Sequence, residues 1–157
     1  MNLSTLFKFL HILSMFAGVG ASTGTVLLVR RVARTNNATA IKTLLGAART
    51  IIAATPILFT VGAIFGVLTA ATSSLDFFKP WLLIAYVVFI VLSVVGARIT
   101  APWAARVGKA AAMNQGEAPS AELQAATADK SIDTAFLITM VLLVVIVFDM
   151  IFKPFGL

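Results

Sequence analysis

His11, Tyr86 and Asp149 each interrupt a long apolar stretch of this chain. Ionisable groups are costly in such surroundings and usually face a protein interior, where they carry protons, bind ligands or pair with one another. His11 lies three residues inward of Lys8, Asp149 four residues inward of Lys153 and Tyr86 six residues inward of Pro80. At a rise of about 1.5 Å per helical residue, all three fall roughly 5–9 Å inside the ends of their helices. Thr69 of another stretch lies near that level. A set of this kind has the chemistry to hold a proton, a quinone head group or a metal centre, with His11 as the metal ligand. Each residue also has a plainer reading. Asp149 can pair with Lys153 one turn on, Tyr86 can be an interfacial aromatic, and His11 can donate to a backbone carbonyl. His11 is the single histidine, which excludes a bis-His haem within one chain and leaves a single-His or His–Met haem b. Met15 is on the same helix face as His11, so the second ligand of a His–Met pair would come from Met140 or Met150.

The elements that position these residues follow from composition. Of 157 residues 60% are hydrophobic and 11% charged, against roughly 25% charged in a soluble domain. So few charges do not cover a water-exposed surface. A span needs about 20 apolar residues, and four spans with their loops use up the chain. The expected fold is all-α: a polytopic membrane protein with a four-transmembrane-helix bundle, residues 1–157 forming a single domain. The spans are expected at about 3–29, 47–71, 81–99 and 132–152. The first is read as a retained helix rather than a signal peptide, because its apolar run passes 20 residues and ends in Arg30, Arg31 and Arg34. Pro80 suits a helix start. Thr100 to Met113 extends the third helix beyond the membrane, Ser120 to Lys130 reads as a short surface helix, and Ser131 is the expected cap of the last span. The chain has no Cys, which removes disulfides, thiolate metal sites and Cys nucleophiles. It shows no Walker loop, zinc motif, nucleophile elbow or paired catalytic carboxylates.

Lys and Arg in the loops set orientation. Arg30, Arg31, Arg34, Lys42 and Arg49 cluster around the first loop, and Arg98, Arg106, Lys109 and Lys130 around the third. Only Lys8, Lys79 and Lys153 belong to the other side. Both termini are therefore expected outside and the basic loops in the cytoplasm of a bacterial inner membrane. The net charge of +6 is a topology signal with a contribution to anionic lipid contact, not a nucleic-acid footprint. Trp81 and Trp103 are expected in the aromatic belts. The tripeptide Phe78-Lys79-Pro80 recurs as Phe152-Lys153-Pro154, as an aromatic and a snorkelling lysine at an interface would.

In lipid, helices associate through close packing of small residues. Gly20 and Gly24 are spaced four apart on the first span and Gly62 and Gly66 on the second, and these faces are expected to meet within the bundle or at a dimer interface. Ser14, Gly18 and Ser22 make a second small stripe. Pro56 is expected to kink the second helix.

Lys8-Phe9-Leu10-His11, the basic stop after the first span and the closing Met150-Ile151-Phe152-Lys153-Pro154 resemble a bacterial family of predicted integral membrane proteins of unknown function with four spans. The resemblance covers nearly the whole chain. The Phe-Leu-His opening is also similar to that of the copper-resistance D proteins and the HemJ-type protoporphyrinogen oxidases. The latter likeness implies a haem-binding role for the first-helix histidine, here His11. The chain departs from that pattern in having no second His and no Lys in its third span. The function expected from all of this is a non-catalytic accessory or structural subunit of a larger membrane complex, in contact with the lipid bilayer and with other subunits or its own copies. The alternative is a haem- or quinone-binding redox protein using His11.

Overall fold

The computed structural model describes residues 2–154. Among them the regular structure is entirely helical: α1 (Leu3–Ala33), α2 (Ala38–Thr72), α3 (Pro80–Val95), one π-helical turn (Gly96–Thr100), α4 (Ala101–Met113), α5 (Ala121–Thr127) and α6 (Ser131–Phe152). Four stretches are long and apolar enough to cross a membrane: Leu3–Ala33, Ala38–Thr72, Pro80–Met113 and Ala121–Phe152. This is the all-α architecture of a four-helix transmembrane bundle. Large apolar side chains are left bare on the helices, Phe16 at 79% and Val144 at 71% exposure, as a lipid-facing surface requires and a water-facing one does not.

The turns are built by the residues that suit them. Asn36 takes a left-handed φ of 51°, which asparagine tolerates better than most side chains. The Asn37 carboxamide then accepts from the Ala40 N–H at 2.8 Å and starts α2, nine residues before the apolar stretch expected at Ala47. Pro80 occupies the first turn of α3. α2 runs unbroken through Pro56.

The third span continues through the π turn into α4. Pro102 explains the irregularity: lacking an N–H, it cannot bond the Arg98 carbonyl in an α-helical ladder. The Ala101 N–H instead reaches the Gly96 carbonyl, five residues back. The helix therefore carries on to Met113 without a break.

α5 is capped by the Ser120 hydroxyl, which accepts from Leu123 N–H at 3.3 Å. The start of α6 departs from expectation. Ser131 is its first helical residue, and it is the Asp129 carboxylate that accepts from the Ser131 N–H, at 2.9 Å. Asp129 also accepts from Arg106 at 2.6 Å.

The chain resolves into two compact units, one formed by residues as far as Val29 with Leu44–Phe77, the other by Arg30–Thr43 with Phe78 onward. In the second unit α3 packs on α6, α4 on α5, and the π turn on α6. Leu123 and Val107 are fully enclosed, and Ile41, Ile132 and Trp103 are 1% exposed. The Ala38 N–H donates to the Glu117 carbonyl at 2.8 Å, and Arg30 forms a two-pronged ion pair with Asp133. Both bonds tie the α1–α2 turn to this unit.

Both tryptophans correct the expectation of aromatic belts. Trp103 is buried, with its indole N–H donating to the Ala126 carbonyl at 3.0 Å. Trp81 is 5% exposed and lies beneath the Lys153 ammonium, 5.3 Å from the ring centroid. Each indole has a protein partner for its polar or π-rich part, so it gains more from burial than from an interface.

Candidate functional site: a histidine clamp between the first two helices

In the first unit α1 and α2 run antiparallel with a regular register. The Ser4 and Ser73 hydroxyls meet at one end of the seam. His11 then meets Gly66, Met15 meets Gly62, and Gly18 meets Leu58 and Phe59. Phe7 and Phe65 stack beside this line with ring centroids 6.0 Å apart. On α1 the positions 4, 7, 11, 15 and 18 advance in steps of three or four, the spacing of one helix face.

His11 is the polar centre of this seam. Its Nδ1 lies 2.7 Å from the Gly62 carbonyl oxygen. A carbonyl accepts and does not donate, so Nδ1 carries a proton in this contact, and in a neutral ring Nε2 keeps the lone pair. The contact is close because Gly66 has no side chain. A Cβ at Gly66 would fall 2.9 Å from Nδ1 and 3.0 Å from Cε1, inside van der Waals contact. A Cβ at Gly62 would fall 3.0–3.1 Å from the Met15 side chain. Two glycines of α2 therefore form a shallow seat, and one turn of α2 both receives the imidazole and bonds it. When the ring is neutral, this bond fixes its tautomer and leaves Nε2 as the basic nitrogen. Such a nitrogen can accept a hydrogen bond or ligate a metal, its orientation set by the bond made from the opposite side of the ring.

Gly20 and Gly24 have no part in this seam. A Cβ at either meets nothing within 4 Å. The small residue that α1 contributes is Gly18, whose Cβ position lies 3.4 Å from Leu58 and Phe59. The reason is phase. Gly18 is seven residues from His11 and so returns to its face, whereas Gly20 and Gly24 are two and six residues further along and point elsewhere.

Tyr86 and Asp149 belong to the second unit, and there Asp149 departs from its plainer reading as a partner of Lys153. The buried face of α3 is Trp81, Leu82, Ala85, Val88 and Val95; Tyr86 is off it, 36% exposed. Asp149 is 2% exposed, and neither carboxylate oxygen has a hydrogen-bond partner among the described residues. Lys153 does not pair with it. Its ammonium lies over Trp81, and only its backbone N–H turns back, to the Asp149 carbonyl oxygen at 2.9 Å. The seat formed by Gly62 and Gly66 was legible as a small-residue motif. Its occupation by the one histidine was not, because nothing in a single sequence sets the register between two helices.

Among the described residues no three His, Cys, Asp or Glu converge as a metal site. No curated protein matches the chain, and no solved structure does. A family model described as "Predicted integral membrane protein (DUF2269)" matches residues 5–154, which takes in both units and all four membrane-length helices. The chain therefore belongs to the DUF2269 family of predicted integral membrane proteins.

Proposed function

We propose that this protein is a non-catalytic accessory or structural subunit that associates laterally with other membrane-protein chains or with its own copies. In this reading its two units act as one four-helix membrane domain of a bacterial inner membrane, with both termini outside. The observation that carries it is the division of labour among the glycines. Gly62 and Gly66 are used within the chain, while Gly20 and Gly24 are open to their surroundings, flanked along α1 by exposed Phe16 and Leu27. A small-residue pair left unfilled on a membrane helix allows a second helix to approach closely, and close approach is what drives helix association in lipid. The test is a photo-crosslinking residue at Phe16 or Leu27 in the intact membrane, with and without Gly20→Leu and Gly24→Leu. Discrete adducts that both leucine variants abolish, with the folded chain retained, are the expected result. Adducts indifferent to both variants would remove the basis of the reading.

A second reading has its own observation. In a neutral ring, the bond from Nδ1 to the Gly62 carbonyl makes Nε2 the basic nitrogen of His11, the arrangement of an axial haem b ligand or a hydrogen-bond acceptor for a quinol head group. His11 would hold the group from one side. A Soret band in the purified protein that His11→Gln removes would support this reading, and a colourless protein with no extractable quinone would end it.

A further inference from the structure

Asp149 is the buried ionisable side chain among the described residues. It lies in the last turns of α6, 2% exposed, with both Oδ atoms unpartnered by any described residue. A carboxyl group there has given up its water and received no donor from the described residues in return, which no other acidic residue of this apolar helix does. The cation best placed by sequence, Lys153 at i+4, is committed elsewhere. It ends α6 in a left-handed conformation with φ 45° and holds its ammonium over Trp81. α3, which packs on α6, buries only uncharged side chains, and its titratable group, Tyr86, is on the exposed side. Lys79 precedes its first turn. The π turn also packs on α6, and its Arg98 is exposed.

We propose that Asp149 is a proton-binding site within the last membrane span. One Oδ takes a proton from water, forming a single O–H bond, and returns it to water when the site is released. A proton suits the site because it needs no further ligand. An alkali or alkaline-earth cation takes several oxygen ligands, and no described polar atom reaches either Oδ. The inference is independent of the lateral-association reading and of the His11 reading, since neither uses Asp149.

The test uses the full chain in phosphatidylcholine nanodiscs and a hydrophobic carbodiimide, to which a protonated carboxyl gives its proton at nitrogen and adds its oxygen at carbon, as a carboxylate without that proton does not. Peptide mass mapping should find the adduct on Asp149 at acid and neutral pH, falling at least tenfold toward alkaline pH. Asp149→Asn should abolish that adduct while crosslinking at Phe16 is unchanged. Sodium chloride in place of choline chloride at fixed pH should make no difference. Absence of an Asp149 adduct at every pH would overturn the proposal. Protection by sodium would overturn it too, by assigning the site to a metal cation. The wild-type measurement decides the matter even if the Asn variant does not fold.

Discussion

The hydrogen bond between His11 and the Gly62 carbonyl concentrates several demands on very few atoms. The imidazole lies so close against α2 that a Cβ at position 66 would fall 2.9 Å from Nδ1 and 3.0 Å from Cε1, and either the ring or the helix would have to shift. Gly62 is under less pressure, since what approaches it is the end of the Met15 side chain, which is flexible and can give way. Gly66→Ala should therefore lower stability by about 1–3 kcal/mol, the range for a buried donor deprived of its partner. Gly62→Ala should be close to neutral, and Gly20→Ala should change little in the isolated chain, where a Cβ meets open space. Thermal unfolding of the three variants in one detergent checks the order. Equal losses at positions 20, 62 and 66 would contradict the seat. Asp149 shows the opposite case at the same scale, a polar side chain enclosed with no hydrogen bond from any described residue.

At the scale of elements, identical short sequences do different work. Phe78-Lys79-Pro80 opens α3 with Lys79 extended at φ −57°, ψ 136°, the conformation proline imposes on the residue before it. Phe152-Lys153-Pro154 closes α6 with Lys153 left-handed. The recurrence is one of interface composition, not of structure. The π turn at Gly96–Thr100 holds one residue more than an α-helical turn would, and so keeps α3 and α4 in phase with their separate partners. Deleting Ala97 should remove that extra residue and leave Trp103 in place. Inserting an alanine there should rotate α4 by about 100° and expose Trp103, seen as a red shift in its emission. The Arg30–Asp133 pair fastens the end of α1 to the start of α6. Its side chains are 22% and 59% exposed, so Arg30→Ala should cost no more than about 1 kcal/mol. Exchanging the two charges should recover most of that loss, measured by a double-mutant cycle.

For the whole molecule the first question is which way it faces. The loops rich in Lys and Arg adjoin α1, α2 and α4, and the proposed topology puts them on the cytoplasmic side. Single cysteines at Asn36 and Asn114 should resist a membrane-impermeant thiol reagent in intact cells, while one at Ser74 should react. The native chain has no cysteine to confuse the result. Labelling of the first two and not the third would reverse the topology.

The membrane class, the four long helices and the short capped helix before the last span were all legible in the sequence. Each depends on local composition: apolar length, the prolines and asparagines at helix starts, and the scarcity of charge. The second set of facts could not be read that way. That His11 bonds Gly62, that Gly18 rather than Gly20 lines the seam, and that Lys153 leaves Asp149 for Trp81 all depend on how helices are rotated against one another. Lipid-facing and buried positions are equally apolar in a membrane protein, so hydrophobic periodicity does not mark the inner face as it does in water. The burial of both tryptophans follows the same logic. Sequence gave them a plausible depth in an aromatic belt, and packing supplied the Ala126 carbonyl and the Lys153 ammonium that made the interior the better place.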